Sequence, residues 1–310
     1  MDLVFCGTPQ FAVPTLEALV REGFRVRLVV TQPDRPSGRG QEIAAPAVKR
    51  MAQSLGLPVI QPDKIKNNEE FRAQLAQLAP RAIIVVGYGR IIPTWMIELP
   101  PLGNINLHAS LLPKYRGAAP IQWAIASGET VTGNTTMRIN EGLDTGDILL
   151  QEEMPIAPGD TALTLAPRLA GAGARLVVET LRGLEAGRIQ PRPQDDSSAT
   201  LAPILKKEDG VIDFQRPAAE IVNRLRGFQP WPGAYNSFRG KNLVVHTAHA
   251  AQEKPVPPGE LHVERARLLV GCGAGTVLEI VELQLEGKKR MSAQDFIHGY
   301  HLNPGERLGG

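Results

Sequence analysis

Short apolar runs alternate with longer segments of helical character through the first part of this chain, and this alternation restricts the fold more than any other feature. The segments predicted as strands and helices are, in order, Leu3–Cys6, Phe11–Arg21, Val26–Val30, Ala47–Leu55, Val59, Glu69–Leu78 and Ala82–Val86. Such alternation favours parallel strands, because each helix carries the chain back across the sheet. We therefore expect an α/β protein with a Rossmann-like, mostly parallel sheet and helices on both faces.

The pattern changes in the last third of the chain. Residues 187–203 are rich in proline and polar side chains, a composition typical of a linker or an extended crossing strand. After one helix, Ala218–Arg226, short strands separated by glycine turns favour a small β-barrel of the OB type, a fold that binds nucleic acids. We therefore expect a catalytic domain over residues 1–189, a linker over 190–207 and an OB-like β-barrel domain over 208–310.

Composition narrows the class of protein. The chain has 310 residues, 43% hydrophobic and 21% charged, as in an ordinary soluble globular protein. Its cysteines, Cys6 and Cys272, are too few for a disulfide framework or a cysteine zinc site, which favours a reducing compartment. The first residues do not resemble a signal peptide, and no apolar run approaches the roughly 20 residues that span a bilayer. We expect a monomeric cytoplasmic protein with no membrane partner.

The stretch Asn104–Gly117 carries the most informative polar side chains. Its first residues alternate in polarity, so a strand of period two would place Asn106 and His108 on one face. Pro113 ends the regular structure, and the polar residues after it are typical of a loop at the strand's carboxyl end, where open α/β sheets bind ligands. His108 is also the only histidine before position 246, so imidazole chemistry in the first two-thirds of the chain would use it.

Three side chains could share one reaction. An imidazole takes or gives a proton near neutrality, and Asp144, in a glycine-rich turn, could fix its tautomer. Asn106 offers an amide donor to a developing oxyanion. The sequence shows neither a serine elbow nor metal-ligand spacing, so we expect metal-free attack of a substrate's own nucleophile on a carbonyl. Each residue also has a structural interpretation: a solvated histidine, a capping asparagine and a turn-forming aspartate.

Glycine-containing turns follow two of the predicted strands. Gly7-Thr8-Pro9 stands where a dinucleotide loop would stand, but it has one glycine where that fingerprint has three. We interpret it as a helix N-terminus that approaches another ligand. Gly87-Tyr88-Gly89 is either a simple turn or a place where glycine admits a ligand close to the backbone. The polar connection Gln32–Ala45 is too long for a routine loop, so we interpret it as functional.

Residues 108–121 resemble the signature of the formyltransferases that use 10-formyltetrahydrofolate. They read His-Ala-Ser-Leu-Leu-Pro-Lys-Tyr-Arg-Gly-Ala-Ala-Pro-Ile, with Asn106 before them and Leu143-Asp144-Thr145-Gly146-Asp147 after them. Further segments are similar to the members of that family that formylate methionyl-tRNA, namely Phe5–Pro9, Thr31–Pro36, Val86–Gly89, Phe228–Pro232 and Met291–Asp295. The resemblance thus covers nearly the whole chain.

The resemblance implies a role for each group of residues. Asn106, His108 and Asp144 match the catalytic set. The formyl donor, 10-formyltetrahydrofolate, would bind at Ser110, Leu111, Leu112 and Pro113 and at the turn Gly87, Tyr88 and Gly89. The acceptor, initiator methionyl-tRNA, would contact Gly7, Thr8, Pro9, Arg39, Lys206 and Lys207. The loop around Arg39 departs from the family pattern, because Gln41-Glu42 follows Gly40 in place of two lysines.

Other functions remain open at this point. A formyltransferase could act on an amino sugar or a nucleotide, but the barrel and the long loop favour a tRNA acceptor. The chain could also be an RNA-binding module with an inactive catalytic domain, against which the Asn106, His108 and Asp144 set argues. A nucleotide-binding oxidoreductase is the remaining alternative, and the single glycine at Gly7 argues against it.

Overall fold

A computed structural model of the chain describes residues 1–37 and 42–309, so Arg39 lies outside the described residues. Contacts divide the chain into two compact units. The first unit contains Met1–Pro120, Val131–Pro155 and Ala166–Pro203. The second contains Ile121–Thr130, Ile156–Leu165 and Ile204–Gly310. Each unit is therefore assembled from separate stretches of the chain.

Strands and helices alternate as predicted over the first part of the chain. The strands are β1 Asp2–Gly7, β2 Arg25–Val30, β3 Arg35–Ser37, β4 Glu42–Ala44, β5 Val59–Ile60, β6 Ala82–Val86, β7 Asn104–His108, β8 Val131–Arg138, β9 Ile148–Pro155, β10 Ala234–Phe238, β11 Lys241–Ala251, β12 Leu261–Glu264, β13 Arg267–Gly271, β14 Val277–Leu285 and β15 Met291–Ser292. The helices are α1 Val13–Arg21, α2 Ala47–Ser54, α3 Glu69–Leu78, α4 Thr94–Ile97, α5 Pro120–Ala126, α6 Ala162–Glu185, α7 Ala218–Gly227 and α8 Ala293–Tyr300. Among the described residues, no helix combines the length and apolarity that crossing a membrane requires.

A mixed sheet of the order β5-β2-β1-β6-β7-β8-β9 forms the centre of the first unit. Its strands are parallel from β5 through β7, because helical connections return the chain to the same edge. The last two strands, β8 and β9, run antiparallel to their neighbours. This topology confirms the prediction of an α/β, mostly parallel, Rossmann-like sheet.

Apolar side chains cover both faces of this sheet. Ile105 and Leu107 pack in one cluster with residues of α1 and α6, whereas Cys6 and Ile83 pack in the other with residues of α3. Complete burial raises the pKa of the Cys6 thiol, so it stays a neutral, apolar group. Because the side chains of a strand alternate, the packing of Ile105 and Leu107 on one face turns Asn106 and His108 to the opposite face.

The second unit contains a separate sheet that is antiparallel throughout its described pairs. Its order is β10-β11-β14-β13-β12, and β15 pairs with β14. Phe238 of β10 packs edge-on against Phe296 of α8, with ring centroids 5.0 Å apart. The sequence analysis did not predict α8, although Ser292 caps it by accepting from the Asp295 N–H at 3.1 Å.

Residues 190–203, part of the predicted linker, group with the first unit. Arg192 exchanges both backbone hydrogen bonds with Ile148, at 2.8 and 2.9 Å. Farther along, the Ala202 N–H donates to the Arg116 carbonyl at 2.7 Å. A polar, proline-rich segment has the composition of a linker, but its backbone groups can equally pair with a neighbouring chain segment, as they do here.

The long connection Gln32–Ala45 contains a short hairpin. Strands β3 and β4 pair in antiparallel register, with Arg35 opposite Ala44. At its base, Asp34 accepts hydrogen bonds at 2.7 Å from both Lys49 and Gln61. The bonds from Lys49 and Gln61 lower the pKa of the Asp34 carboxyl. The described part of this connection is therefore anchored to α2 and to the chain after β5.

Candidate active site

Strand β7 delivers two polar side chains to one face of the sheet. Asn106 and His108 alternate with the core residues Ile105 and Leu107, as the period-two pattern predicts. The His108 side chain is only 6% exposed. Asn106 is half-buried, and its amide makes no hydrogen bond within the part of the chain that the structure describes. An accessible, unpartnered amide of this kind can donate to a bound substrate.

The two ring nitrogens of His108 have different partners. Nε2 lies 2.8 Å from the Tyr115 carbonyl oxygen. Because a carbonyl can only accept, Nε2 must carry a proton. Nδ1 faces the Asp144 carboxylate, with Nδ1 and Oδ2 separated by 3.6 Å. Nδ1 is therefore the nitrogen that can gain or lose a proton, and a carboxylate stands beside it to stabilise the charged ring.

Asp144 lies in the turn between β8 and β9, the position that the sequence analysis predicted. Its backbone is left-handed, with φ 52°, a conformation that costs about 1–2 kcal/mol outside glycine. Its Oδ2 accepts from the Gly117 N–H at 2.8 Å, so the carboxylate is held by the loop that follows β7. The loop after β7 and the turn between β8 and β9 thus bring the Asp144 carboxylate to His108.

The segment Ser110–Pro113, predicted to bind folate, is held firmly by its own neighbours. Ser110 is fully buried, and its hydroxyl donates to the Lys114 carbonyl at 2.6 Å. Thr135 of β8 donates to the Ser110 carbonyl at 2.6 Å and accepts from the Leu112 N–H at 3.1 Å. Leu112 is buried, whereas Leu111 and Pro113 are half-buried. The more accessible pair, Leu111 and Pro113, is therefore the part of this segment that a ligand can reach.

The two glycine turns meet at the carboxyl ends of the neighbouring strands β1 and β6. Thr8 Oγ1 donates to the Tyr88 carbonyl at 3.2 Å, joining Gly7-Thr8-Pro9 to Gly87-Tyr88-Gly89. Gly87 and Gly89 have positive φ values of 55° and 76°. A Cβ on Gly87 would lie 2.9 Å from Pro9 Cγ, so glycine is required for this close approach.

Tyr88 presents its backbone and not its ring at this edge. The ring is 1% exposed, and burial raises the pKa of its phenol. The Gln32 amide donates to the carbonyls of Tyr88 and Gly89 at 3.1 and 3.2 Å. Gln32 begins the connection that the sequence analysis interprets as functional, but nothing local to Gln32 indicates its contact with the turn after β6.

Lys206 and Lys207 lie in the second unit and are exposed. Their backbones are ordered by local bonds: the Lys206 N–H donates to Asp209 at 2.7 Å, and the Lys207 carbonyl accepts from the Tyr235 hydroxyl at 3.0 Å. Neither ammonium group forms an ion pair within the described residues. Both ammonium groups are thus available to an anionic partner. Arg39, the third predicted cation, lies outside the described residues.

The sequence analysis also missed a polar pair behind Asp144, formed by the buried Arg116 and the half-buried Gln194. Arg116 is 7% exposed and donates from Nε and Nη2 to Gln194 Oε1, at 3.0 and 2.8 Å. Gln194 Nε2 donates in turn to the Asp144 carbonyl at 2.8 Å. The two residues are 78 positions apart, so no local pattern could have indicated the pair.

The described residues contain no group of three or more histidine, cysteine or acidic side chains placed to hold a metal ion. His108 is paired with one carboxylate, Asp144, at 3.6 Å. What the arrangement offers is a proton-transferring imidazole, a carboxylate that stabilises its charged form and an amide donor two residues away on the same strand face.

Comparison with known proteins identifies the family of the chain. The family model described as formyl transferase matches residues 1–181, and that of the formyl transferase C-terminal domain matches residues 204–301. An N-formyltransferase from Helicobacter canadensis, in complex with folinic acid and dTDP-3-aminofucose, superposes with a TM-score of 0.67 at 20% identity. That alignment covers 90% of this chain and 98% of the other, and at this identity it establishes the shared fold alone.

Relatives of much higher identity extend over the full chain. The methionyl-tRNA formyltransferase of Koribacter versatilis is 68% identical over 309 residues, covering 100% of this chain and 99% of the relative. That of Acidobacterium capsulatum is 65% identical over 310 residues and covers 100% of both. The chain therefore belongs to the formyl transferase family and, within it, to the methionyl-tRNA formyltransferases.

Proposed function

We propose that this chain transfers the formyl group of 10-formyltetrahydrofolate to the α-amino group of methionine esterified to initiator tRNA. The neutral amine attacks the formyl carbon, a C–N bond forms, and the carbonyl electrons move onto oxygen. Collapse of this tetrahedral intermediate breaks the bond from the formyl carbon to N10 of the folate. The amine loses one proton and N10 gains one, so the products are N-formylmethionyl-tRNA and tetrahydrofolate.

The observation that carries this proposal is the pairing of His108 with Asp144 at the end of β7. Nε2 carries a proton and donates it in a hydrogen bond to the Tyr115 carbonyl, and Nδ1 lies 3.6 Å from Asp144 Oδ2. Nδ1 would take the proton that the attacking amine releases and return it to N10. Asp144 would stabilise the imidazolium formed between these transfers, and the half-buried Asn106 amide would donate to the oxyanion.

The substrate contacts are part of the same proposal. Leu111 and Pro113, supported by Ser110 and Leu112, would contact the folate together with the Gly87-Tyr88-Gly89 turn. The acceptor end of tRNA would approach Gly7, Thr8 and Pro9, where the N-terminus of the following helical segment favours phosphate. Arg39, Lys206 and Lys207 would contact phosphates, which position tRNA without reading its sequence.

The proposal extends to the organisation of the whole protein. Residues 1–189 would form the catalytic domain and 208–310 the tRNA-binding domain, with its antiparallel sheet closed as an OB-like barrel. Such barrels bind nucleic acids on one sheet face and its adjoining loops. The protein would act as a monomer in the cytoplasm, where charged initiator tRNA is found.

The test is to incubate the purified chain with 10-formyltetrahydrofolate and methionyl initiator tRNA and to measure formylmethionine. Wild type should form it, and a dTDP-amino sugar should not be formylated in its place. Loss of the proton-transferring group in His108→Ala should lower kcat by roughly 10²–10⁴-fold. Loss of the oxyanion donor in Asn106→Ala should lower it by roughly 10²–10³-fold.

His262→Ala is a matched control, because that histidine lies exposed on β12 in the second unit. This variant should keep wild-type turnover. Circular dichroism and thermal unfolding would verify that each variant is folded. Full activity in a folded His108→Ala variant would refute the assigned mechanism, and efficient formylation of the amino sugar would refute the assigned acceptor.

A further inference from the structure

The turn that carries Asp144 is tight and strained. Asp144 itself is left-handed, with φ 52°. Two residues later, a Cβ on Gly146 would lie 1.8 Å from the Arg138 carbonyl oxygen, so the turn passes directly against β8. A strained, non-glycine conformation persists only where surrounding contacts determine it. The contacts that hold this turn therefore decide where the Asp144 carboxylate stands.

Gln194 supplies two of those contacts. Its Nε2 donates to the carbonyls of Asp144 and Gly146, at 2.8 Å each. Its Oε1 accepts from Nε and Nη2 of Arg116, at 3.0 and 2.8 Å. Carbonyls can only accept and a guanidinium can only donate, so this environment fixes the orientation of the amide. Both hydrogens and both lone pairs of the Gln194 amide are thus used.

Arg116 stands between the two backbone groups that hold the catalytic pair. The Tyr115 carbonyl, immediately before it, accepts from His108 Nε2 at 2.8 Å. The Gly117 N–H, immediately after it, donates to Asp144 Oδ2 at 2.8 Å. The Arg116 guanidinium is also held by Asp196, with Nη2 and Oδ1 2.7 Å apart. Movement of Arg116 would therefore displace the partners of both His108 and Asp144.

These bonds close a ring of contacts. It runs from His108 through the loop 115–117 to Asp144, and from the Asp144 carbonyl through Gln194 back to Arg116. All of its members belong to the first unit. We propose that Gln194, together with Arg116, is a positioning residue that sets the separation of His108 and Asp144 during formyl transfer. This inference rests on the proposed function, because it assigns a role in that reaction.

The proposal predicts a specific kinetic effect. Gln194→Met keeps most of the side-chain volume and removes every hydrogen bond. Gln194→Glu keeps the acceptor for Arg116 but places an oxygen against two carbonyl oxygens. Because displacement of a reacting group by about 1 Å can cost about 10²-fold, both variants should lower kcat by roughly 10- to 100-fold. The KM values for folate and tRNA should change little, since neither substrate touches Gln194 in this proposal.

Asn68→Leu is the matched control. Asn68 is also half-buried, donates from Nδ2 to the Lys64 carbonyl at 3.1 Å and accepts at Oδ1 from the Phe71 N–H at 3.0 Å, but it belongs to none of the proposed folate or tRNA contacts. Its loss should leave kcat unchanged. Thermal unfolding would verify that each variant is folded, and Gln194→Glu carries the test if Gln194→Met does not fold.

A second readout does not depend on turnover. The ring-proton NMR resonances of His108, assigned with His108→Ala, should move in the Gln194 variants and stay in place in Asn68→Leu. Wild-type kcat with unmoved His108 resonances in a folded Gln194 variant would overturn the positioning role. A wild-type protein that formylates no methionyl-tRNA would instead overturn the proposed function, while the NMR comparison would still test the ring of contacts.

Discussion

The Tyr115 carbonyl decides which nitrogen of His108 is chemically available. It accepts from Nε2 at 2.8 Å, and this leaves Nδ1 facing Asp144. The sequence predicts that an imidazole and a carboxylate belong together, because a strand of period two and a glycine-rich turn supply them. It cannot predict the tautomer, because the deciding partner is a backbone oxygen whose direction depends on the conformation of the loop after β7.

The substitution Asp144→Asn tests the negative charge of this side chain, because asparagine removes the charge and can keep the same conformation. Asparagine tolerates the left-handed backbone, φ 52°, and its amide oxygen can still accept from Gly117. The imidazolium then lacks its neighbouring negative charge, so kcat should fall by roughly 10²-fold or more while the melting temperature stays close to that of wild type. Steady-state formylation assays and thermal unfolding would measure both quantities.

Glu141→Gln is the control for this substitution. Glu141 belongs to the same turn and accepts from Thr94 Oγ1 at 2.7 Å, a bond that glutamine can keep. Its turnover should equal that of wild type. An Asp144→Asn enzyme as active as the Glu141→Gln enzyme would show that the charge of Asp144 has no part in the reaction.

At the scale of single elements, the sequence predicts regular, buried segments well. Helix Glu69–Leu78 and strand Ala82–Val86 begin and end as their patterns indicate, and strand β7 begins at Asn104, where the polar alternation starts. Helix α8 and the hairpin β3–β4 were missed, because each is short and lies in a polar or proline-containing stretch. Helix α8 packs against Phe238 of β10, and the hairpin is held by the pairing of its own two strands; local periodicity records neither contact.

The crossing of α5 and α7 provides a prediction about packing. A Cβ on Gly227, the last residue of α7, would lie 2.6 Å from the Gln122 carbonyl oxygen and 2.9 Å from the Ala126 nitrogen. Because these are backbone atoms of α5, a helix must move, and Gly227→Ala should lower the free energy of unfolding by about 1–3 kcal/mol. Urea unfolding would measure the change.

Gly171→Ala is the matched substitution within α6. Among the described residues, no heavy atom outside the local helix backbone lies within 4 Å of the position that the alanine methyl would take, so alanine adds helix propensity without a clash. It should raise the free energy of unfolding by about 0.5–1 kcal/mol. If Gly227→Ala and Gly171→Ala changed the free energy of unfolding equally, the close approach of α5 to Gly227 would not be the reason for glycine at that position.

The base of the β3–β4 hairpin should respond to pH. Bonds from Lys49 and Gln61 lower the pKa of Asp34 in the folded chain. A lowered pKa contributes stability above the unfolded carboxyl value of about 4, and that contribution is lost as the pH falls through the folded value. The difference in unfolding free energy between wild type and Asp34→Asn should therefore be constant near neutrality and shrink in acid.

Urea unfolding of both proteins at a series of pH values would measure this difference. Lys49→Met, which removes the first of the two donors, should abolish much of the same pH-dependent contribution. A difference between wild type and Asp34→Asn that grows as the pH falls would contradict the assigned direction.

At the scale of the whole molecule, recognition of tRNA should depend on salt. Lys206 and Lys207 are exposed, and each phosphate contact releases counterions on binding. Replacing either lysine by alanine should weaken tRNA binding and reduce the slope of log K against log salt concentration by about one. Lys64→Ala, which alters an exposed lysine outside both the proposed phosphate contacts and the proposed tRNA-binding domain, should leave the slope unchanged. Unchanged slopes in Lys206→Ala and Lys207→Ala would exclude both residues from the tRNA contacts.

The contacts that support the pair of His108 and Asp144 could not be predicted from the sequence. Arg116 and Gln194 are 78 positions apart, and Gln194 lies in a stretch whose composition is that of a linker. Only the folded chain shows that residues 190–203 pair with the first unit. Local composition indicates whether a segment can stay solvated, but it does not indicate whether another segment will bond to its polar groups.

The second unit is not one continuous stretch of chain, and this affects both how the protein folds during translation and how its gene can recombine. It takes Ile121–Thr130 and Ile156–Leu165 from the first half of the sequence and Ile204–Gly310 from the rest. On the ribosome, those early segments emerge long before the strands they will join. A crossover between genes at position 204 would likewise separate Trp123 from Phe228, whose rings stack edge-on at 5.2 Å. Recombination that exchanges only the part of the gene after position 204 would therefore split the second unit, so we expect the gene to be inherited undivided.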